Sequence, residues 1–259
     1  MYIKFDEKTH TYKAENKKLI SVTTYLNQFK KPFDADKIAT NYPEKNNLIK
    51  KDVLEKCKNE ADISKERGNI IHDAIELFLT KHQTTVNTSK YVEQKELENI
   101  YKYLLELLKE YKVVDCEKII GSSELGIAGT FDCLMQNRKT GNLCLIDWKT
   151  NKEIKTENQW QNLLYPLYDL EDCDFNIYSL QLSIYKYIIE KFNLYSNNIE
   201  ELKIVHIKNG IHEMEVEYLK EAVEKILIAG YCNFCNKEML GVISTDNSTS
   251  CFACLTKLK

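Results

Sequence analysis

Two apolar runs joined by a polar turn lie near the middle of the chain, in GTFDCLMQNRKTGNLCLIDWKT at residues 129–150. Strand-like runs on either side of a glycine-containing turn predict a β-hairpin. Each run nevertheless carries an aspartate, Asp132 in the first and Asp147 in the second, and Lys149 follows two residues after the second. The fold must therefore accommodate charged groups on strands that are otherwise apolar.

The period of a strand predicts how these charges are arranged. Side chains two residues apart share a face, so Asp147 and Lys149 point one way and Trp148 points the other. Pairing of the two runs brings Asp132 alongside Asp147. Two adjacent carboxylates repel unless a proton or cation lies between them, and oxygen-rich clusters suit Mg²⁺ or Mn²⁺. A lysine beside such a metal can orient a water, which is equipment for phosphodiester hydrolysis.

The pattern at residues 147–149 has a second interpretation, because an aspartate two residues before a lysine also arises on solvated strand ends. The apolar lead LCLI at residues 143–146 favours a buried strand that carries its charges to a site.

Composition allows but does not require a nucleic-acid ligand. The chain has 259 residues, 43% hydrophobic and 29% charged, as in ordinary globular proteins. Its formal charge of -3 gives no overall attraction to a polyanion, so binding would need a local basic face or a metal. No apolar run reaches the ~18 residues of a spanning helix, and the first ten residues lack the apolar core of a signal peptide. We expect a cytoplasmic protein, in the host cytoplasm if the source is viral, with no membrane partner.

Periodicity predicts a mixed α/β chain. The expected order is an N-terminal hairpin, a helix capped by Ser21, a polar helical arm, two long helices, strands, and then a helix, a strand and a helix before the tail. The arm runs through residue 62 and is interrupted by Pro32 and Pro43. The later elements are predicted at residues 64–82, 93–112, 114–149, 179–192, 202–207 and 216–230.

Four short motifs, in this order, resemble those of the PD-(D/E)XK nuclease superfamily and of its RecB-like exonucleases, which include CRISPR-associated, mitochondrial and phage enzymes. They are GNIIHDAIE at 68–76, GTFD at 129–132, IDWKT at 146–150 and QLSIY at 181–185. HTYKAENKKLISVTTYL at 10–26 also resembles the start of phage members, and the Lys-, Asn- and Ile-rich composition is typical of an AT-rich genome. The resemblance covers residues 1–192 and implies a phage or mobile-element nuclease.

The resemblance implies a catalytic metal site for Mg²⁺ or Mn²⁺. Its ligands would be His72, Asp132, Asp147 and the backbone carbonyl of Trp148. Lys149 would position the attacking water.

Three further residues have alternative interpretations. His72 flanks the apolar stripe of the helix at 64–82, so taken alone it is better explained as a core histidine, and only the other motifs favour a metal ligand. Gln181 and Tyr185 are one helical turn apart and share a face, and we expect them to contact nucleic acid or to support Lys149. Glu124, eight residues before Asp132, is either an outer ligand of the site or a surface charge.

The C-terminal tail contains four of the nine cysteines as two C-x2-C pairs separated by fifteen residues. They are Cys232, Cys235, Cys251 and Cys254. This spacing is typical of a four-cysteine zinc ribbon. CRISPR-associated relatives hold an iron–sulfur cluster with four cysteines, but place one of them upstream of the nuclease core, so zinc is the preferred interpretation.

The sequence thus predicts a PD-(D/E)XK nuclease core, a mixed sheet flanked by helices, at residues 1–229 and a zinc-ribbon tail at 230–259. The expected activity is metal-dependent hydrolysis of DNA, as an exonuclease if a free end threads beneath the helical arm. Two alternatives remain. One is a catalytically silent DNA-binding or scaffold protein whose ribbon docks a partner protein, and the other is a zinc-stabilised interaction module with a structural acidic pair.

Overall fold

An eight-stranded mixed sheet forms the centre of the fold. The computed structural model describes residues 3–6, 9, 11–14, 17–31, 50–84, 90–227, 229–231, 238–240, 243–245 and 248–250. The strands of the central sheet are β1 (Ile3–Asp6), β2 (Thr11–Ala14), β3 (Lys17–Ser21), β4 (Tyr111–Ser122), β5 (Ile127–Asn137), β6 (Leu143–Lys149), β7 (Ile199–Ile207) and β8 (Ile211–Glu215).

Within the described ranges, five helices accompany the sheet. They are α1 (Val22–Leu26), α2 (Lys50–Lys81), α3 (Gln94–Glu110), α4 (Asp174–Lys191) and α5 (Lys220–Leu227), and a 3-10 turn (Asn27–Phe29) follows α1. Helix α1 begins at Ser21, whose hydroxyl accepts a hydrogen bond from the backbone N–H of Thr24, as a helix N-cap does. The predicted cap is therefore confirmed.

The sheet combines parallel and antiparallel pairing in the order β1-β2-β3-β5-β6-β7-β8, with β4 on the other edge of β5. β3 pairs with β5 and β6 pairs with β7 in parallel, and the remaining neighbours are antiparallel. Helix α4 connects β6 to β7, because parallel neighbours need a crossover. The predicted mixed sheet and the hairpin of β5 and β6 are confirmed.

Helices cover both faces of the sheet. One apolar cluster joins α1, α4 and α5 to the sheet through residues that include Tyr25, Leu145 and Leu180. The other joins α2 and α3 to the opposite face and includes Ile71 and Trp148. Burying each large aliphatic side chain of these clusters contributes about 1.5–3 kcal/mol, so the sheet is held between two helical layers.

The helical arm differs from its prediction in one respect. Residues 32–49 lie outside the described residues, but the arm's last part and the predicted helix at 64–82 form one continuous helix, α2, of 32 residues. Side chains 55–66 of α2 are all exposed, and the buried stripe begins only at Arg67. No breaker separates the two segments, so the helix continues once it starts. The N-terminal half of α2 extends away from the core with the helical rise of roughly 1.5 Å per residue.

The described part of the tail contains four short strands beyond α5. β9 (Ala229–Tyr231) pairs with β10 (Glu238–Leu240), and β11 (Ile243–Thr245) pairs with β12 (Ser248–Ser250), both antiparallel. The four tail cysteines lie outside the described residues, so the zinc ribbon stays a prediction. No helix within the described ranges is long and apolar enough to cross a membrane.

Candidate metal and catalytic site

The candidate site lies at a gap along one edge of strand β5. Residues 127 and 128 of β5 pair with β3, and residues 133–136 pair with β6. Residues 129–132 therefore face the gap between β3 and β6. Asp132 ends this gap, and its Oδ2 accepts a hydrogen bond of 2.7 Å from the backbone N–H of Trp148. The carboxylate thus bridges the two strands where their backbone pairing stops.

Asp147 and Lys149 share a face of β6, as strand periodicity predicts. Asp147 is buried, and its Oδ2 lies 2.6 Å from Lys149 Nζ. This oxygen has no other partner among the described residues, and its contact with Lys149 is an ion pair. Lys149 Nζ also lies 4.4 Å from the ring centroid of Tyr178 on α4. Trp148 points to the opposite face and packs against α2 and α3.

His72 on α2 joins the site from the other helical layer. Its Nε2 lies 3.0 Å from the carbonyl oxygen of Trp148 and donates to it. Its Nδ1 lies 3.4 Å from Glu117 Oε1 and 3.8 Å from Asp132 Oδ2. A neutral imidazole that donates through Nε2 presents its lone pair at Nδ1, between two carboxylates. The histidine that sequence alone could not separate from a core residue therefore faces the acidic cluster.

Glu117 is a site residue that sequence reasoning missed. It lies on β4 with a φ of 44°, a conformation that is uncommon for a residue other than glycine. Its neighbours pair with Cys133 and Phe131, which places Glu117 opposite Asp132. A signal was available in the sequence: residues 117 and 132 are equidistant from the centre of the β4–β5 turn, so a symmetric hairpin brings them together.

Glu124, the acidic residue singled out from sequence, lies elsewhere. It follows β4 in the β4–β5 turn, its side chain is 64% exposed, and its Oε1 lies 2.9 Å from Lys191 Nζ. The outer-ligand interpretation is not supported, because within the described residues Glu124 pairs with Lys191 at the surface. A turn residue points to solvent, whereas Glu117 lies within the strand that borders the site.

Burial and neighbouring charges shift the pKa values of four groups of the cluster, His72, Asp132, Asp147 and Lys149. Burial alone lowers the pKa of His72, but the charges of Asp132 and Glu117 outweigh it and raise that pKa to about 9. Burial raises the pKa of Asp147 to about 6 against the attraction of Lys149, and it also raises the pKa of Asp132. Burial opposes the charge of Lys149, but Asp147 and Asp132 raise its pKa. The buried carboxylates of the cluster repel one another, and bound protons or a cation are needed to offset that repulsion.

Helix α4 packs against the strands that carry Asp132 and Asp147. Gln181 Nε2 donates to Asp147 Oδ1 at 3.3 Å, so Gln181 supports the aspartate and not Lys149. Tyr185 is buried one turn later, and a Cβ at Gly129 would come within 2.6 Å of its hydroxyl oxygen. Gly129 is required there because the tyrosine approaches the strand closely. Tyr185 is too buried to contact nucleic acid, contrary to one of its two sequence interpretations.

A buried arginine fixes the chain that follows Lys149. Arg67, five residues before His72 on α2, donates from Nη1 to the carbonyl of Thr150 at 2.7 Å and from Nη2 to the carbonyl of Ile207 at 3.3 Å. Its Nη2 also pairs with Glu96 of α3. These contacts join the end of β6 to β7, α2 and α3. Sequence reasoning missed Arg67, because the role of a guanidinium depends on carbonyls that are distant in the chain.

Two more contacts hold the same segment. A Cβ at Gly68 would lie 3.2 Å from Thr150 Oγ1, so α2 packs tightly on this residue. His206 Nε2 lies 2.8 Å from the carbonyl oxygen of Asn151 and donates to it. The backbone on the C-terminal side of Lys149 is thus anchored by two side chains.

The donor set fits a divalent cation. His72, Glu117 and Asp132 each offer one ligand atom, and these atoms all lie within 4.8 Å of one another. Donors around one octahedral cation with bonds of about 2.1 Å lie about 3 to 4.2 Å apart. The two distances from His72 Nδ1, 3.4 Å to Glu117 and 3.8 Å to Asp132, fall in that range. Asp147 lies beside this trio, because it directly precedes Trp148, whose backbone N–H donates to Asp132.

No family model matches the chain, and no curated protein matches it. Among solved structures, SSO0001 is 18% identical with a TM-score of 0.30, and the match covers 81% of this chain and 72% of that one. A protein from Eubacterium rectale named "Putative exonuclease" is 12% identical with a TM-score of 0.33, covering 80% of this chain and 76% of that one. At these TM-scores the likeness carries no argument about this chain.

Proposed function

We propose that the chain is a metal-dependent deoxyribonuclease that hydrolyses phosphodiester bonds from a free end of DNA. The observation that carries the proposal is the convergence of His72, Glu117 and Asp132 on one point beside the buried pair of Asp147 and Lys149. Carboxylates and an imidazole together hold Mg²⁺ or Mn²⁺, and a neighbouring ammonium group supplies a positive charge that the metal ligands do not use.

The metal ligands in this proposal are His72, Glu117, Asp132 and Asp147. The backbone carbonyl of Trp148, which the resemblance implied as a ligand, is not among them. It accepts a hydrogen bond from His72 Nε2 and so fixes which imidazole nitrogen faces the carboxylates. Imidazole favours Mn²⁺ over Mg²⁺, so this donor set should bind Mn²⁺ more tightly than Mg²⁺. When bound, the cation would polarise the scissile phosphate and lower the pKa of a coordinated water.

The remaining residues position and stabilise. Lys149, held by Asp147 and the ring of Tyr178, donates hydrogen bonds and orients the attacking water or a phosphate oxygen. Gln181 fixes the carboxylate plane of Asp147, and Arg67 fixes the backbone after Lys149. Placing the reacting groups in this way reduces the entropic part of the barrier.

The tail has a separate proposed role. Cys232, Cys235, Cys251 and Cys254 would hold a structural Zn²⁺, because thiolates prefer the softer ion. The ribbon so formed would be a docking site for DNA or for a partner protein.

Incubation of the purified protein with end-labelled linear DNA in Mg²⁺, in Mn²⁺ and in EDTA tests the proposal. We expect cleavage with either ion, faster in Mn²⁺, and none in EDTA. Circular single-stranded DNA of the same sequence should resist, since it has no end. Asp132→Asn should lose at least about 100-fold in kcat while Asp62→Asn, an exposed aspartate of the α2 arm, retains full activity. Absence of metal-dependent cleavage of both DNA forms would refute the proposal.

A further inference from the structure

Trp160 is the most exposed large apolar side chain of the described chain, at 92% of its full surface. Indoles are usually well buried, because they carry a large apolar area. The chain's other tryptophan, Trp148, is 2% exposed and follows this rule. Exposing the large apolar area of an indole to water costs free energy. At interfaces, exposed tryptophans of this kind often contribute most of the binding free energy.

The segment that carries Trp160 is anchored. Its backbone N–H donates to Asn158 Oδ1 at 3.3 Å, and the N–H of Asn158 donates to Glu171 Oε2 at 2.6 Å. On the other side, the N–H of Asp172 donates to the carbonyl of Gln161 at 2.8 Å. The indole is thus displayed from a hydrogen-bonded hairpin, and little conformational entropy is lost when a flat ligand stacks on it.

The hairpin lies at the end of the molecule that carries Lys149. Residues 150–157 connect β6 to it, and within this connection the backbone N–H of Lys155 donates to Asp174 Oδ2 at 3.1 Å, at the start of α4. The carbonyl of Asp172, immediately before α4, accepts from Asn158 Nδ2 at 2.7 Å. The second turn of α4 carries Tyr178, whose ring contacts Lys149 Nζ. One helix end therefore joins the exposed indole to the catalytic lysine.

We infer that Trp160 is a stacking platform for an unpaired base of the substrate strand, an inference that rests on the proposed nuclease function. Bases in a duplex are already stacked, so the partner is a single-stranded end or strand. Stacking on an aromatic ring tolerates any base and is worth about 1–3 kcal/mol per base. A nuclease that degrades successive nucleotides needs such a sequence-tolerant contact.

Charge along the segment points to the same mode of recognition. Lys152 and Lys155 are exposed and form no ion pair within the described chain, so they are available to phosphates. They alternate with exposed Glu153 and Glu157, and the four residues together carry no net charge. Attraction to the backbone is weak here, and the face of the indole is the main contact that the segment offers.

The two tryptophans allow a direct fluorescence test. Trp160 is solvent-exposed and Trp148 is enclosed, so a base that stacks on Trp160 quenches the red-shifted part of the emission. We expect a phosphorothioate oligothymidylate, which resists cleavage, to quench the parent protein saturably. Trp160→Phe should lose the quenching because Trp148 alone remains. A parent protein that cleaves the unmodified oligothymidylate but shows no quenching would overturn the inference and leave the nuclease proposal intact.

Kinetics separate the platform from a structural role. Trp160→Ala should raise KM for oligothymidylate about 5- to 150-fold with kcat within twofold, the range that corresponds to one lost stack. Trp160→Phe retains an aromatic face and should stay within about threefold of the parent. Leu105→Ala removes another exposed apolar side chain, on α3, and should change neither constant. An unchanged KM in Trp160→Ala would exclude stacking, and quenching by a protein that cleaves no DNA would refute only the nuclease proposal.

Discussion

His72 Nε2 lies 3.0 Å from the carbonyl oxygen of Trp148, and this single contact determines which side of the imidazole faces the acidic cluster. The carbonyl belongs to the residue between Asp147 and Lys149, so α2 is connected directly to the backbone of the candidate catalytic strand. The orientation leaves Nδ1 beside Glu117 and Asp132.

Replacement of His72 should remove metal binding without unfolding the protein. His72→Asn retains a side chain that can donate to the carbonyl of Trp148 but has no ligand nitrogen. Saturating Mn²⁺ should raise the Tm of the parent, because a ligand that binds only the folded state stabilises it. In His72→Asn this rise should disappear. His212→Asn, an exposed histidine of β8, is the matched control and should keep the rise. An equal Mn²⁺ effect in both variants would remove His72 from the site.

Glu117 and Glu124 give a paired test of the acidic ligand. Glu117→Gln removes one negative charge from the trio, and we expect Mn²⁺ affinity to fall at least about 10-fold with a large loss of cleavage. Glu124→Gln removes only a surface ion pair with Lys191, so affinity and activity should both stay at the parent level. Calorimetric titration with Mn²⁺ measures the affinities. The opposite ranking of the two variants would restore Glu124 as the ligand.

Variants of the buried pair of Asp147 and Lys149 should separate effects on stability from effects on activity. Lys149→Met leaves a buried carboxylate without its counter-charge, which costs about 3 to 5 kcal/mol in the free energy of unfolding. Asp147→Asn combined with Lys149→Met removes both charges and should recover most of that loss while remaining inactive. Urea unfolding monitored by circular dichroism measures the difference. A double variant as unstable as Lys149→Met alone would show that the ion pair is not the source of the cost. Lys102→Met, an exposed lysine of α3, is the control.

Arg67 should act on kcat through the position of Lys149. Arg67→Lys cannot reach the carbonyls of Thr150 and Ile207 together, so we expect kcat to fall about 10-fold or more with KM within twofold. Arg138 provides a matched control, because its Nε donates at 3.1 Å to the carbonyls of Leu108 and Tyr111 away from the site. Arg138→Lys should leave kcat unchanged at a comparable Tm. Equal kcat values in the two variants would limit Arg67 to a structural role.

The tail should contain a metal site that is independent of the first. Cys232→Ser combined with Cys235→Ser should release one zinc per chain and make the segment after Gly230 sensitive to protease. Mn²⁺ binding by residues 1–229 should persist, because carboxylates and imidazole hold it. Cys57→Ser, an exposed cysteine on α2, controls for loss of a thiol. Retained zinc in the double variant would refute the four-cysteine assignment, and a brown protein with visible absorbance would indicate an iron–sulfur cluster instead.

Local features of the fold were predictable because they depend on neighbouring residues. The turn between residues 137 and 143 brings β5 and β6 together with Cys133 opposite Ile146, and the two-residue period then puts Asp147 and Lys149 on one face. The boundaries were less accurate. The strand β8 was missed because IHEME is short and polar, and α5 begins at Lys220, four residues later than predicted.

The chain by itself determined which residue types occupy the strand ends, since period, turn chemistry and apolar content act over a few residues. Only the tertiary structure decided which of several acidic and cationic candidates meet. Glu117 and Glu124 are seven residues apart, yet the antiparallel register of β4 and β5 brings one to Asp132 and leaves the other in solvent. Arg67 and His72 reach the end of β6 because α2 packs across the sheet. Contacts between distant segments depend on how buried surfaces fit together, and no local pattern encodes that fit.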